Sequence, residues 1–241
     1  MYYYVIERNP VFQSGCTSSV AAPAYLPTPR TTPTRMRERA CYERQTVHRI
    51  LDEALICHVG YLSAGGPAVL PTTHARIGET LFLHGSTGSG PMLSAASAPT
   101  GIPVCVTATL IDGLVLARAA MHHSLNYRSV IVIGSARLVE DQASKLRALK
   151  ALIDHVVPGR AADSRSPNPR ELAATAVLAL DLLEVSAKVR SGGPVDDRED
   201  AALPHWAGVV PLTLVAGPPE PAEDLDPAVP LPPYLAAYRR P

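Results

Sequence analysis

The sequence lacks an excess of charge of either sign. Its 241 residues include 22 Lys plus Arg and 22 Asp plus Glu, so the formal net charge is zero. Proteins that bind nucleic acid or an anionic membrane surface use a basic field, and this chain has none overall. It also lacks an apolar run of the roughly 20 residues that a membrane-spanning helix needs. The start, MYYYVIERNP, lacks the basic and apolar segments of a signal peptide. We therefore expect a soluble, cytoplasmic protein with no nucleic-acid or membrane partner.

Cysteine and aromatic residues are also scarce. The four cysteines are Cys16, Cys41, Cys57 and Cys105, and no two of them have the spacing of a metal-binding or redox pair. We expect them to be reduced thiols. Aromatic residues make up 5% of the chain, with a single tryptophan, Trp206. That residue begins a predicted strand and is either part of the core or one wall of a ligand site.

Proline is abundant, with 24 residues, and concentrates near the two ends of the chain. Residues 1–35 are rich in Pro, Thr and Ser without hydrophobic periodicity, so we predict a disordered or extended arm. Residues 36–217 hold the regular apolar patterns and form the predicted folded domain. Residues 218–241 form a Pro-rich C-terminal tail. Apolar residues make up 46% of the chain, which is enough for a substantial core.

The folded domain is predicted to begin with one helix and to continue as strands. The helix lies between about Glu43 and Ile56, with one apolar stripe of Val47, Ile50, Leu51, Ala54 and Leu55. Extended runs follow over residues 57–139. Gly65-Gly66 predicts a hairpin between strands at 57–63 and 67–74, and Asp112-Gly113 predicts another between strands at 102–110 and 114–121. Five or six antiparallel strands at hairpin spacing are typical of a barrel or sandwich, and barrel closure hides strand edges.

Two helices and two further strands are predicted beyond residue 139. The first helix starts after Glu140-Asp141 and ends at Pro158-Gly159. The second starts at residues 168–171 (NPRE), where Asn caps the helix, Pro takes its first position and Glu reaches back to the cap. The segments LDLLEVSAKVR and WAGVVPLTLVAG are predicted strands. The fold class is therefore mainly β with flanking helices.

Two segments offer polar groups for a ligand. Residues 85–90 (GSTGSG) follow the strand TLFLH, and Pro91 then starts a short helix. Three hydroxyls and open N–H groups there suit a phosphate, and a flexible polar turn is the alternative. The second segment is residues 122–129 (HHSLNYRS), in which Arg128 offers a bidentate fork for phosphate. His122 and His123 point to opposite faces of a strand, so they do not form a two-ligand metal site. No paired carboxylates or hydrolase elbow stand out, which favours chemistry carried by a bound cofactor.

An ordered series of motifs resembles a known family. The segments are TVHRILDEA, CHVGYL, GGPAVLPTTH, LFLHGSTGS, LIDGLVLARAAMHHSLNYRSVIVIGSARLVED, SAKVRSGGP and WAGVVPL, over roughly residues 36 to 217. Together they resemble the pyridoxamine-phosphate-oxidase-like flavin-binding proteins, and especially their nitroimidazole-resistance or flavin-nucleotide-binding branch. The resemblance implies a six-stranded antiparallel split β-barrel that forms a homodimer, with FMN in a cleft between the two subunits.

The resemblance also implies a set of cofactor-binding residues. The strand of Val69, Leu70, Pro71, Thr72, Thr73 and His74 would run along the flavin ring and ribityl chain. The segment of His84, Gly85, Ser86, Thr87, Gly88 and Ser89 would hold the ribityl and phosphate groups. The strand of Asn126, Tyr127, Arg128 and Ser129 would add polar contacts. From the second subunit, Ser186, Ala187, Lys188 and Trp206 would close over the cofactor.

The sequence departs from this family in two places. The family usually carries Arg or Lys just after the loop serine, and here those positions are Gly90 and Pro91. Loss of one or two charge-assisted contacts, each worth roughly 1.5–3 kcal/mol, would weaken phosphate binding unless Arg128 or Arg76 compensates. The alternatives are another flavin such as FAD, a deazaflavin, haem or no cofactor. A basic residue after WAGVVPL is also not evident, so vitamin B6 oxidation is not predicted.

The expected activity is an FMN-dependent oxidoreductase. Electrons from a nicotinamide cofactor would pass through the flavin to a small molecule such as a nitro-aromatic. His74 and His122 are the candidate catalytic residues, because histidine titrates near neutrality and donates protons. A flavin carrier or redox sensor without turnover is one alternative. A haem-binding split barrel is another, with candidate ligands His58, His74, His84, His122 and His123. No metal site is predicted.

Overall fold

The structure is a computed structural model, and it describes residues 24–239. This part of the chain contains nine strands and five α-helices. The strands are β1 (Ala40–Cys41), β2 (Ile56–Ser63), β3 (Gly66–Ile77), β4 (Thr80–Ser86), β5 (Ile102–Leu116), β6 (Ser124–Leu138), β7 (Thr175–Asp181), β8 (Glu184–Arg190) and β9 (Gly208–Pro211). The helices are α1 (Arg44–Glu53), α2 (Gly90–Ala96), α3 (Gln142–Val156), α4 (Pro169–Ala174) and α5 (Pro233–Ala236). Short 3-10 helices span Arg37–Arg39, Ala120–His122 and Arg198–Ala202.

Six of the strands close a barrel in the order β6-β7-β4-β3-β2-β5, with β5 pairing back onto β6. Every pair in it is antiparallel. β8 adds to β6 and carries β1 on its other edge, while β9 pairs with the end of β5. The predicted six-stranded antiparallel split barrel is confirmed. Closure satisfies backbone groups that an open sheet edge would leave exposed.

Two strands change partners along their length, and this splits the barrel. β3 pairs with β2 through residues 66–73 and with β4 through residues 74–77. β6 pairs with β8 through residues 127–133 and with β7 only at Arg137 and Leu138. A gap therefore opens where β3 leaves β4, next to the loop that follows β4.

The predicted apolar stripe of α1 is confirmed. Four of its five residues, Val47, Ile50, Leu51 and Ala54, are at most 2% exposed and join the barrel core. The helix ends at Glu53, so the fifth residue, Leu55, lies beyond it and is half-buried. The capping box at the start of α4 is also confirmed, because Asn168 Oδ1 accepts from Glu171 N at 2.9 Å and Asn168 N donates to Glu171 Oε2 at 2.9 Å. Local capping chemistry and helix periodicity were sufficient to place both elements.

The Asp112-Gly113 hairpin prediction is wrong. β5 runs straight through both residues, and its register with β6 shifts between Ile111 and Gly113, so Asp112 is an extra residue in a β-bulge. The chain reverses later, between Leu116 and Ser124. The bulge aims the Asp112 carboxylate at Arg128, an ion pair that the dipeptide pattern does not reveal.

The later strands also differ from the prediction. LDLLEVSAKVR is not one strand, because a turn at residues 182–183 separates β7 from β8. Leu182 is 1% exposed and its N–H donates to the Glu79 carbonyl, which fixes that turn in the core. In WAGVVPLTLVAG only β9 is a strand.

The packed unit begins before the predicted boundary at residue 36. Tyr25 is 3% exposed, and its hydroxyl donates to Glu79 Oε2 at 2.8 Å. Residues 1–23, with most of the predicted arm and Cys16, lie outside the described residues. In the predicted tail, Tyr234 donates to Asp163 at 2.6 Å and Tyr238 donates to the Val156 carbonyl at 3.0 Å. None of the helices within residues 24–239 is long and apolar enough to cross a membrane.

Candidate functional site

The loop after β4 borders the split in the barrel. The β3–β4 register ends at His74 and Leu83, so Thr73 and His84 are the next residues along strands that separate there. From the other side, Tyr61 on β2 reaches the start of α2, since its hydroxyl would lie 3.6 Å from a Cβ added at Gly90. The structure thus brings the predicted loop and the predicted β3 strand to one cleft. Tyr61 is a cleft residue that the sequence analysis missed.

Polar atoms without partners line this loop. Within the described residues, Ser89 Oγ and His84 Nδ1 are buried and form no hydrogen bond. Burial lowers the pKa of His84, so its imidazole is neutral near pH 7. Buried polar groups normally have partners, and unsatisfied ones together mark a place where a ligand can donate and accept. The loop therefore fits a polar ligand.

The backbone conformation of the loop depends on close contacts. A Cβ added at Gly85 would lie 3.1 Å from Met92 Cε and 3.3 Å from Ser89 Oγ. The Thr87 N–H donates to the Ala174 carbonyl at 3.0 Å, which ties the loop to the start of β7. A side chain at residue 85 would require the Ser89 and Met92 side chains to shift by a few tenths of an ångström, so the glycine lets them pack closely against the loop.

The β3 segment presents apolar surface beside the loop. On the face that carries Tyr61, Leu70 is 39% exposed and Thr72 is half-buried. Val69, which is 67% exposed, lies on the opposite face. Pro71 is exposed and lies opposite His58 of β2. An exposed apolar strand next to a polar loop suits a ligand with a flat apolar part and a polar tail.

His74 does not face this cleft. Its side chain is fully buried, and Nε2 donates to the Leu51 carbonyl at 2.8 Å. The ring of His155 on α3 packs against it in a tilted arrangement, with 4.8 Å between ring centroids. His155 Nε2 donates to the Ala54 carbonyl at 2.8 Å. The two imidazoles thus satisfy carbonyls at the carboxyl end of α1, which have no partner within the helix. This geometry does not support the predicted catalytic and cofactor-binding roles of the His74 side chain, which is buried and holds the end of α1.

Arg128 is likewise occupied by the protein itself. Its guanidinium binds both carboxylate oxygens of Glu53 and both of Asp112, at 2.7 to 2.9 Å for the three longer contacts. These hydrogen bonds raise its pKa, those to Glu53 most, followed by those to Asp112. Four carboxylate oxygens around one guanidinium leave no fork for a phosphate. The predicted phosphate contact of Arg128 is not supported by this geometry.

The neighbouring predicted residues form a second group around β8. Ser129 Oγ donates to the Lys188 carbonyl at 3.3 Å, and Tyr127 lies across from Arg190. Asn126 is 8% exposed and bonds Arg190 and the Gly192 carbonyl. Ser186 is 8% exposed, and Lys188 is half-buried. The structure therefore joins the predicted β6 and β8 residues to each other, and Arg190 is a member that the sequence analysis missed.

Trp206 and His122 lie at the surface. Trp206 is 67% exposed, and its ring crosses Gly208, where an added Cβ would lie 2.7 Å from Cη2. It is therefore not a core residue. His122 Nε2 lies 3.8 Å from Asp197 Oδ2, beyond hydrogen-bond length. Within one chain, neither residue touches the loop at the split.

One face of the barrel sheet is unusually apolar for an exposed surface. A row across β3, β2, β5, β6 and β8 consists of Pro71, His58, Thr107, Ile131 and Ser186. Ile56 and Ile111 are each 44% exposed, Ile131 is 38% exposed, and Cys105 is exposed as well. Buried and exposed residues alternate along much of β5, which places its exposed side chains on this face. Such apolar patches are typical of interfaces or ligand sites.

Comparisons with known proteins agree with this fold. The family model described as pyridoxamine 5'-phosphate oxidase matches residues 43–189. The flavocytochrome Anf3 from Azotobacter vinelandii is 39% identical, covers 90% of this chain and 99% of its own, and gives a TM-score of 0.81. The FAD and haem binding protein from Mycobacterium smegmatis is 37% identical, with 82% and 96% coverage and a TM-score of 0.77. This chain belongs to the pyridoxamine 5'-phosphate oxidase family.

A further solved structure shares the fold alone. It is a protein provisionally assigned to 5-nitroimidazole antibiotic resistance, from Bacteroides thetaiotaomicron. It is 23% identical, covers 62% of this chain and 86% of its own, and has a TM-score of 0.52. Among the curated proteins, no match was found.

Proposed function

We propose that this protein is an oxidoreductase that binds a flavin at the split in the barrel and a haem on the apolar sheet face. The observation that carries the flavin site is the loop from His84 to Ser89, where two buried polar atoms have no partner within the described residues. On the same side, β3 exposes Leu70 on the face that carries Tyr61. Two relatives that match nearly their whole length are named a flavocytochrome and an FAD and haem binding protein.

The residues at the split suit the parts of a flavin nucleotide. The exposed β3 strand would pack against the flat ring, and Ser86, Thr87 and Ser89 would hydrogen-bond the ribityl and phosphate groups. His84, neutral near pH 7, would accept or donate one hydrogen bond without adding charge. A bound flavin supplies hydride and electron transfer, while the chain binds and orients it and excludes water. FAD follows the named relatives, and FMN is the prediction from the sequence.

His58 is the best-placed haem ligand on the apolar face. Its side chain is exposed, and it lies in the row between Pro71 and Thr107. A haem needs an accessible imidazole and apolar surface for its ring, and this face offers both. The complete burial of His74 favours His58 over it as the haem ligand.

The same apolar face supports the predicted homodimer. Ile56, Ile111 and Ile131 are each exposed by more than a third in one chain, and a second copy would bury them. The residues of β8 and Trp206 would then approach the split of the other subunit. Light scattering should give about twice the 25.6 kDa monomer mass. A strict monomer would contradict the shared site.

The decisive experiment is the absorption spectrum of the purified protein, with the mass of whatever co-purifies. We expect a flavin band and a Soret band. Ser89→Ala should lower flavin content, and His58→Ala should abolish the Soret band. Ser94→Ala, at an exposed residue on α2, and His205→Ala, at an exposed histidine, are the matched controls. A protein that takes up neither flavin nor haemin would refute the proposal.

The substrate is the finer part of the proposal. Reduction of a nitro-aromatic with electrons from a nicotinamide cofactor is the sequence-based prediction, and a cytoplasmic location is another. A steady-state assay with NADH or NADPH and a nitro acceptor tests the activity. Robust turnover would exclude a flavin carrier or sensor, whereas a loaded protein without turnover would favour it.

A further inference from the structure

A guanidinium without a carboxylate partner lies at the end of β8. Arg190 is 9% exposed. Its Nη1 donates to Asn126 Oδ1 at 2.5 Å and to the Gly192 carbonyl at 3.4 Å, and its Nη2 donates to the Gly193 carbonyl at 3.1 Å. These acceptors are neutral, and Nε donates to no acceptor among residues 24–239. Burial penalises a charge unless an opposite charge compensates it. Arg190 therefore holds a positive charge that the described residues leave uncompensated.

Other partly buried arginines in this protein pair with carboxylates. The Arg128 side chain is 14% exposed and binds two carboxylates, and the Arg118 side chain is 31% exposed and binds Asp196 at 2.9 Å. Arg190 is buried to a similar or greater degree, yet only amide and peptide oxygens surround it. The contrast indicates that an anion belongs beside it.

A second cation stands close to Arg190. Arg39 immediately precedes β1, the strand that pairs with β8. Its side chain is 27% exposed, and its ion pair with the adjacent Glu38 is long, at 3.8 Å between Nε and Oε1. Burial, and then the charge of Arg39, lower the pKa of Arg190. Two guanidiniums that repel each other would both be stabilised by one anion bound between them.

We propose that Arg190, supported by Arg39, binds an oxyanion of the cofactor. The inference rests on the proposed function. Lys188 lies two residues earlier on β8, in the segment predicted to close over the cofactor, and Asn126 is a predicted cofactor residue that contacts Arg190 directly. The chain has Gly90 and Pro91 where a phosphate-binding cation was expected. Arg190 would supply a positive charge from another part of the fold.

Two groups of the proposed cofactors could supply the oxyanion, and titrations distinguish them. One is the phosphate of a flavin nucleotide, and the other is a propionate carboxylate of haem. Titration of FMN against riboflavin isolates the phosphate, and titration of haemin against its dimethyl ester isolates the carboxylates. The two ligands of each pair differ only in the anionic group, so only that group is tested.

The test compares wild type with Arg190→Gln, Arg190→Lys and Arg39→Gln, and with Arg137→Gln as an exposed-arginine control. Arg190→Gln should weaken the binding of FMN or haemin about tenfold to a hundredfold, while the matching ligand without the anionic group binds as before. Arg190→Lys should restore part of that loss. If Arg190→Gln does not fold, Arg190→Lys and Arg39→Gln provide the test, with a smaller loss of affinity for the charged ligand alone. Unchanged FMN and haemin affinities in the folded variants would overturn the proposal.

Thermal stabilisation by pyrophosphate separates this inference from the proposed function. If wild type binds neither flavin nor haemin, but pyrophosphate raises its melting temperature and does not raise that of Arg190→Gln, the anion site stands and the proposed function fails. If flavin or haemin binds to wild type and to Arg190→Gln alike, the proposed function stands and the anion site fails. If wild type responds to no ligand and no pyrophosphate, both fail.

Discussion

The ion cluster around Arg128 allows a quantitative prediction. Arg128→Met keeps most of the side-chain length and removes all contacts to Glu53 and Asp112. The Arg128 side chain is 14% exposed, that of Glu53 is 23% exposed and that of Asp112 is 34% exposed. Breaking a fully buried ion pair from one side costs about 3–5 kcal/mol, because it leaves a buried charge unpaired. Asp112 is about one-third exposed, so water screens part of this cost, and we expect about 2–3 kcal/mol.

The assay is thermal unfolding at fixed pH and protein concentration. For a chain of this length, 1 kcal/mol shifts the melting temperature by about 2–4 °C, so Arg128→Met should melt about 5–10 °C below wild type. Arg137→Met is the control, since Arg137 and Asp181 are 47% and 36% exposed and such surface pairs contribute about 0–1 kcal/mol.

A double-mutant cycle assigns the loss to the cluster. In a Glu53→Gln background, Arg128→Met should lower the free energy of unfolding by less than in wild type, because only one carboxylate, that of Asp112, is left unpaired. Flavin content should stay unchanged at temperatures where the variant is folded. The reasoning is refuted if Arg128→Met melts within the range of the control, or if it stays folded and loses its flavin selectively.

Three further outcomes follow from burial and close contact. Burial raises the pKa of the Cys57 thiol to about 12, so iodoacetamide at neutral pH should spare Cys57 in the native protein and modify it only after unfolding, as peptide mass mapping would show; early modification of Cys57 would be inconsistent with this fold. Burial lowers the pKa of His84 from 6.5 in the folded protein, so on acidification His84 is protonated in the unfolded chain before it is protonated in the folded one. The free energy of unfolding should therefore fall as pH drops below about 6.5. His84→Gln should flatten this dependence, and an unchanged slope in melting temperature against pH would exclude the assignment. Gly208→Val should displace the Trp206 ring and shift its fluorescence with little change in melting temperature, and identical spectra would contradict the contact.

Features encoded by nearby residues were predictable from the sequence. The α1 stripe, the capping box at Asn168 and the glycine-rich loop all depend on contacts within about one turn of chain. The barrel followed from strand count and from the order of family motifs. The bulge at Asp112 did not, because the same Asp-Gly pair serves a hairpin or a bulge, and an ion pair across the barrel selects between them.

The individual site residues were less predictable for the same reason. His74 alternates along a strand like its neighbours, and only the packing of α1 and α3 against β3 shows that its ring is structural. Arg128 looks like a phosphate fork until Glu53, 75 residues away, is placed beside it. Arg190 carried no local signal, because its isolation from carboxylates exists only in three dimensions.

The strand order of the barrel has a consequence for how the molecule folds. The pairs β2–β3, β3–β4 and β5–β6 join segments that are neighbours in the chain and can form early as hairpins. The β4–β7 pair instead joins segments about as distant as Thr80 and Asp181, which are 101 residues apart. Closing so long a loop costs entropy that only a nearly complete barrel repays. The loop from His84 to Ser89 is tied down by this last pair, so amide exchange in that loop should become protected late in refolding, after the hairpins and together with barrel closure.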